Sequence, residues 1–182
     1  IYKIKKNFNS TLISIDTRSS IVAKETLNAG ASIINDVSSG AHDLKMFEIV
    51  SQAKAKIILT HMPKLHQKKI TSKYTIEDIQ KYFNEKIDIA LSCGINRKNI
   101  IIDPGICYGK TGENNIEIIK NIKLFVNKFE TVCLGASNKR FSSDLFNKIH
   151  DNDLFIASLA VTTHCVINGV SYLRVHDIDK NK

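Results

Sequence analysis

The sequence predicts an α/β fold with a parallel sheet, and three observations favour a TIM-type (β/α)8 barrel that is incomplete, with about six βα units. Short, β-branched apolar runs alternate with helical patterns along the 182 residues, which is the order of a parallel sheet covered by helices. Nearly every run ends in a residue able to do chemistry, as at the mouth of a barrel. The Gly-x-Gly-x-x-Gly turn of an open dinucleotide-binding sheet is absent from the sequence.

Six runs are predicted to be buried strands because each is short, apolar and bounded by polar or turn residues. They are LISI (12–15), SIIN (32–35), KIILT (56–60), NIIID (99–103), TVCLG (131–135) and VSYLRV (170–175). A complete barrel has about eight strands and about 250 residues, so this count falls two strands short.

Helical patterns lie between the strands, in segments 19–30, 43–53, 75–94, 113–126 and 153–169. The third is the longest. Thr75 followed three residues later by Asp78 predicts a capping box, and Gly94 is a typical helix stop. Because no linker or low-complexity segment divides the series, we expect one domain over residues 1–182.

Polar residues that follow the strands are the candidate site residues. They are Asp16, Asn35, Asp36, His61, Asp103, Ser137, Lys139, Arg174 and His176. A single such residue would only indicate a hydrated loop. Six strands in a row that end this way favour a functional site, because the carboxyl ends of barrel strands converge.

Gly-Lys-Thr at 109–111 does not belong to a nucleotide-binding loop. That loop needs four residues between its two glycines, whereas only three separate Gly105 from Gly109. Pro104, one place earlier, has no N–H for a phosphate. The informative residue here is therefore Asp103, a carboxylate at the end of an apolar strand.

Composition and spacing exclude several classes of protein. Apolar residues make up 43% of the chain, which argues against disorder, and no apolar run is long enough to cross a bilayer. The basic first residues lack the apolar core of a signal peptide. The net charge of +8 comes from scattered lysines, so we expect small anionic substrates and no nucleic acid.

The four cysteines, at positions 93, 107, 133 and 165, form no Cys-x-x-Cys pair. Reduced, mostly buried thiols in a cytoplasmic protein are therefore expected. His61 and His66 are five residues apart, a spacing that fits no zinc motif.

Six segments occur in one order between Ser14 and Ile178. They are SIDT (14–17), GASIINDVSSG (30–40), HM (61–62), DPGICYGKT (103–111) with ENN (113–115), GASNKRF (135–141) and RVHDI (174–178). On these residues the chain resembles the dihydropteroate synthase family, of which it would cover barrel strands three to eight. The resemblance implies that the amine of 4-aminobenzoate displaces diphosphate from 6-hydroxymethyl-7,8-dihydropterin diphosphate. The product is dihydropteroate, a folate precursor; magnesium assists the leaving group, and the family is the target of sulfonamides.

The resemblance also implies roles for individual residues. The pterin would be bound by Asp16, Asn35, Met62, Asp103, Tyr108, Gly135, Lys139 and Arg174. The catalytic residues would be Lys139, Arg174 and His176, and His176 would hold the leaving diphosphate. Carboxylates and an amide suit the polar edge of a pterin, and a guanidinium can stack on its face. His176, two residues after Arg174, is expected on the same side of a strand.

Some features depart from the family pattern. Asn138 replaces an arginine, Cys107 replaces a glycine, and Pro63 follows His-Met directly. The family also has two strand–helix units before LISI and a helix after RVHDI. Those units supply the asparagine that binds magnesium and the loops that form the aminobenzoate site. We therefore expect no metal ligand in this chain and little activity from it alone, and the missing units argue against the family's homodimer.

Two alternatives stay open. One is a barrel that binds methyltetrahydrofolate and transfers its methyl group, against which the G-x-S-x-K and RVHD segments argue. The other is a pterin-binding or subunit-interaction remnant without catalysis.

Overall fold

A computed structural model of the chain describes residues 1–62, 73–135 and 151–182, with side chains in the last range from residue 154. The described residues belong to two compact units. The first contains Ile1–His61 and Tyr82–Ile102, and the second contains Met62–Lys81 and Asp103–Lys182.

The first unit is organised around a sheet with the strand order β1-β2-β3-β4. The strands are β1 (Ser14–Asp16), β2 (Ile33–Asp36), β3 (Lys56–Thr60) and β4 (Ile100–Asp103), whose last residue belongs to the second unit. β1 pairs with β2, and β2 with β3, in parallel. The apolar residues of β2, β3 and β4 are between 0% and 7% exposed. Continuous apolar runs of this kind are typical of a parallel sheet that is covered on both faces.

The helices that precede or follow these strands are α1 (Tyr2–Asn7), α2 (Ser20–Asn28), α3 (Met46–Gln52) and α4 (Ile76–Ser92). The predicted capping box of α4 is confirmed. Thr75 N donates to Asp78 Oδ2 over 2.9 Å, and Asp78 N donates to Thr75 Oγ1 over 3.1 Å. α1 was not predicted, because it has six residues and buries none of them, so it carries no apolar stripe.

The second unit contains α5 (Gly112–Lys120), α6 (Ile122–Phe129), β5 (Cys133–Leu134), α7 (Asp151–Ile167) and β6 (Tyr172–Leu173). β5 and β6 pair in parallel. The prediction of one helix over 113–126 is wrong. The chain leaves helical geometry at Asn121, with φ −101° and ψ 17°, so two helices with continuous apolar spacing meet there.

The predicted strand over 170–175 is also too long, since β6 ends at Leu173. Arg174 and His176 therefore follow the strand, and the expectation that they share a strand face is wrong. None of the helices in the described ranges is long and apolar enough to cross a membrane.

Candidate functional site

The first unit places Asp16 and Asn35 side by side at the carboxyl ends of neighbouring strands. The two residues are direct partners in the parallel register of β1 and β2. Asn35 Nδ2 donates to Asp16 Oδ1 over 2.5 Å. An ionised carboxylate accepts only, so the amide nitrogen of Asn35 faces Asp16 and the amide oxygen points elsewhere. Asn35 is 4% exposed, and its Oδ1 has no hydrogen-bond partner among the described residues.

Asp36, which also follows the β2 run, has a structural role instead. Its Oδ1 accepts from Ser38 N and Ser38 Oγ over 2.8 and 2.6 Å, and its Oδ2 accepts from Gly40 N over 2.8 Å. Both carboxylate oxygens thus hold the turn after β2. That turn also needs Gly40, because a Cβ there would lie 2.7 Å from Phe47 Cζ. This strand-end carboxylate is therefore already committed to the fold.

A buried polar cluster follows β3 in the same unit. The carbonyl oxygen of Thr60 accepts from Ser39 Oγ over 2.9 Å and from Tyr82 Oη over 3.3 Å. The ring of His61 packs edge-on against Tyr82, with the centroids 4.8 Å apart. Burial raises the pKa of Tyr82, so the phenol stays a neutral donor. His61 is 2% exposed, and its place in this aromatic contact identifies a packing role.

In the second unit, Asp103 ends β4 and is 5% exposed. Its Oδ1 accepts from Gly105 N over 2.8 Å. This bond holds the carboxylate in a fixed orientation at the point where the chain turns on Pro104 and Gly105. The carboxylate that the sequence singled out is thus part of a rigid turn.

The loop after Asp103 is fixed from within by Lys110, the lysine of the Gly-Lys-Thr segment. Lys110 is 1% exposed, and its Nζ donates to the carbonyl oxygens of Gly105 and Tyr108 over 2.7 and 3.3 Å. A lysine that donates to the carbonyls of its own loop does not bind nucleotide phosphates. This agrees with the argument from glycine spacing.

Two asparagines of α5 bond backbone groups of two separate segments: Asn115 bonds the loop after Asp103, and Asn114 bonds Tyr74 just before α4. Asn115 Oδ1 accepts from Cys107 N over 2.9 Å. Asn114 bonds the backbone of Tyr74 twice, accepting from its N–H over 3.1 Å and donating to its carbonyl over 2.7 Å. Cys107 itself has φ +69°, in the left-handed region that favours glycine. At position 107, where the family has glycine, the backbone therefore adopts a conformation that favours glycine.

Gly135 and Arg174 lie next to each other in the second unit. Arg174 N donates to Leu134 O over 3.0 Å, next to the β5–β6 pair. A Cβ on Gly135 would lie 3.5 Å from Arg174 Cβ, so glycine keeps this side of the arginine open. Arg174 and His176 are exposed, and Met62 and Tyr108 are partly buried. Lys139 and Ser137, which the sequence predicted as site residues, lie outside the described residues.

The expected burial of the cysteines is found at two of the four positions. Cys133 and Cys165 are buried, whereas Cys93 is exposed and Cys107 is partly buried, and all four are free thiols. Burial raises the pKa of Cys165 to about 12. A thiol in such an apolar environment stays protonated and unreactive at neutral pH.

Some residues that bond the loops around the candidate site were not assigned a role from the sequence. They are Thr60, Lys110, Asn114 and Asn115. Lys110 and the asparagines lie in the segments 103–111 and 113–115 that carry the resemblance, but no sequence pattern shows their role, because their partners are backbone atoms of folded loops. Thr60 lies two residues after Ile58, the register partner of Asn35, and this relation appears only in the structure.

Comparisons with known proteins show the family and the fold of this chain. A family described as pterin binding enzyme matches residues 1–176. The folic acid synthesis protein fol1 of Pneumocystis carinii is 34% identical over 96% of this chain and 25% of its own length. A dihydropteroate synthase of Streptococcus pyogenes is 32% identical over 100% of this chain and 67% of its own length.

Among solved structures, a Clostridium difficile dihydropteroate synthase crystallised in the presence of pteroic acid superposes with a TM-score of 0.87. It is 28% identical and covers 99% of this chain, which spans 66% of that structure. The predicted class of fold, an incomplete (β/α)8 barrel, is confirmed by this match. The chain spans about a quarter of the fungal relative and two thirds of the bacterial ones.

Proposed function

This chain belongs to the pterin-binding enzymes and, within them, to the dihydropteroate synthases, and we propose that it binds the pterin substrate of that reaction. The reaction would join 6-hydroxymethyl-7,8-dihydropterin diphosphate to 4-aminobenzoate and release diphosphate, in folate biosynthesis. The observation that carries the proposal is the Asn35 amide, whose oxygen is buried without a partner among the described residues. Buried polar atoms in this state are rare and point to a ligand.

The first unit supplies polar groups that complement the edge of a pterin. Asp16 is exposed at the strand end and accepts from Asn35, so Asn35 is oriented to present its oxygen to a ring N–H or an exocyclic amine. Binding that pairs a buried polar group selects strongly against a ligand that leaves the group unpaired. In the second unit, Asp103 would have the same role, with its carboxylate oriented by Gly105 N.

The remaining proposed contacts follow the family. Arg174 would stack its guanidinium on the pterin face on the side that Gly135 leaves open, and Met62 and Tyr108 would line the pocket. Lys139 would hold a ring acceptor of the pterin. His176 would hold the departing diphosphate, whose developing charge is what catalysis must stabilise.

Magnesium is implied by the family alone. In the parts of the chain that the structure describes, no group of three or more His, Cys, Asp or Glu side chains is placed to hold a metal ion. These residues do not fit the metal, and we derive no step through it. A cytoplasmic location and sensitivity to sulfonamides are likewise proposed from the family, and 4-aminobenzoate is proposed as the second substrate.

The reaction is tested by pyrophosphate release from the purified 182-residue chain, given both substrates and magnesium. The chain spans two thirds of its bacterial relatives, and each preorganised charge-stabilising group is worth about 10²–10³ in rate. We therefore expect turnover at least about 10² below that of the full-length S. pyogenes enzyme. Turnover equal to the full-length enzyme would show that residues 1–182 hold all of the catalytic groups, contrary to this assignment.

A further inference from the structure

We propose that the hydroxyl of Thr60 is a further pterin-binding group, which contacts the same polar ring edge as Asn35 and helps to select the ligand. This inference rests on the proposed function and extends it to a residue that has no role in the assignment above. It concerns a side chain of the first unit only.

The sheet register places Thr60 on the side that Asp16 and Asn35 face. Asp16 pairs with Asn35, and Asn35 pairs with Ile58. Register partners in parallel strands point to the same side of the sheet, and side chains two residues apart in one strand do so as well. Thr60 follows Ile58 by two residues within β3. Its side chain therefore lies on the Asn35 side, one step nearer the carboxyl end of the strand.

The carbonyl oxygen and the hydroxyl of Thr60 differ in their hydrogen bonding within the described residues. The carbonyl oxygen accepts two bonds, from Ser39 Oγ and Tyr82 Oη. The side chain is buried, at 1% exposure, yet Oγ1 has no partner within the described ranges. The two unpaired atoms, Asn35 Oδ1 and Thr60 Oγ1, thus occur on one side of adjacent strands. Each buried polar group without a hydrogen-bond partner costs free energy, and a ligand that bonds both groups removes that cost.

The pair of groups defines a class of ligand. Asn35 offers an acceptor, because its amide nitrogen is committed to Asp16. A threonine hydroxyl offers one donor and two acceptor lone pairs. An acceptor beside a donor complements a flat ring that carries an N–H next to a carbonyl or ring nitrogen, which is the pattern of the pterin's pyrimidine edge.

The test is calorimetric titration of the chain with 6-hydroxymethyl-7,8-dihydropterin, which lacks the diphosphate. Thr60→Val removes the hydroxyl and keeps the shape, and we expect its affinity to fall about tenfold. Thr60→Ser keeps a hydroxyl and should stay within about threefold of wild type. Thr162→Val is the matched control, because the buried hydroxyl of Thr162 is already paired with Ser158 O over 2.8 Å.

The thermal midpoint without ligand separates this role from a structural one. Because the hydroxyl of Thr60 has no partner among the described residues, Thr60→Val should leave the midpoint unchanged or raise it, whereas Thr162→Val should lower it. A lower midpoint for Thr60→Val together with unchanged affinity would overturn the inference. If Thr60→Val does not fold, Thr60→Ala takes its place in the titration, with the same expected loss.

The two proposals fail in different ways. If the wild type and Thr60→Val bind the pterin equally well, the Thr60 inference is contradicted and the proposed function is left intact. Wild type that does not bind the pterin contradicts both. A loss in Thr60→Val that is matched by Thr60→Ser also contradicts the inference, because the hydroxyl is then not the group that matters.

Discussion

Lys110 Nζ donates to the carbonyl oxygen of Gly105 over 2.7 Å, within the loop that follows Asp103. The lysine that suggests a phosphate-binding loop in the sequence therefore fixes the backbone next to Asp103, the carboxylate proposed to bind the pterin. Lys110→Met would leave the buried carbonyl of Gly105 and the partly buried carbonyl of Tyr108 without this donor, so we expect a loss of about 1–3 kcal/mol in the free energy of unfolding. Urea denaturation measures it.

Lys120→Met is the control for this change, since Lys120 is exposed on α5. It should change stability by less than about 0.5 kcal/mol. ATP should not raise the thermal midpoint of the wild type. Equal stability of the Lys110 and Lys120 variants, or stabilisation by ATP, would show that Lys110 is not committed to its loop.

At Cys107 we expect a substitution to stabilise the chain, whereas Lys110→Met should destabilise it. Its φ of +69° lies in the left-handed region, which costs a residue with a Cβ about 1–2 kcal/mol. Cys107→Gly should therefore stabilise the chain by about 1 kcal/mol. Cys107→Ala removes the sulfur but keeps the Cβ, so it should stay near wild type. Thermal or urea denaturation of the three proteins decides, and a Gly variant no more stable than the Ala variant contradicts the strain argument.

Two buried asparagines should respond in different ways. Asn35 Oδ1 is unpaired among the described residues, whereas Asn115 Oδ1 accepts from Cys107 N. Asn35→Val removes an acceptor that has no partner among the described residues, together with one bond to Asp16. Because Asp16 is exposed and water can replace that donor, stability should change by less than about 1 kcal/mol while pterin binding is lost. Asn115→Val should cost about 1–3 kcal/mol because it removes the acceptor of the partly buried N–H of Cys107. If Asn35→Val destabilises as much as Asn115→Val, the Asn35 amide serves the fold and not a ligand.

Thiol labelling tests the burial of the cysteines. Burial raises the pKa of Cys165 to about 12, and Cys93 is exposed. Because only the thiolate reacts, a disulfide reagent at pH 8 should label Cys93 in seconds to minutes and Cys165 only after denaturation. Cys165 should stay protected up to about pH 10 as long as the fold persists. Mass spectrometry of the labelled peptides gives the order, and early labelling of Cys165 would contradict the packing of α7.

Parts of the fold could be predicted from the sequence because they depend on local chemistry. β3 was predicted at its observed bounds, 56–60, since its apolar run is continuous and ends at polar residues. The Thr75–Asp78 capping box was predicted for the same reason. The break at Asn121 could not be, because the apolar spacing continues through it and only the backbone geometry shows two helices.

The candidate site divides in the same way. Asp16, Asn35 and Asp103 were identified from their positions at strand ends. Asp36 has the same signal but is used by its own turn, and the pairing of a carboxylate with backbone N–H groups appears only in the fold. Thr60 was missed because an uncharged residue at a strand end has no special signal until its burial and missing partner are known.

Pterin binding by the 182-residue chain is the central claim, and calorimetric titration with 6-hydroxymethyl-7,8-dihydropterin tests it most directly. We predict one binding site in the wild type, with affinity reduced about fivefold or more in Asp103→Ala, since each lost pairing in a buried polar site costs about 1–3 kcal/mol. Glu113→Ala, which changes an exposed carboxylate of α5, should bind as the wild type does. No binding by the wild type, or equal affinity in Asp103→Ala, would contradict the account.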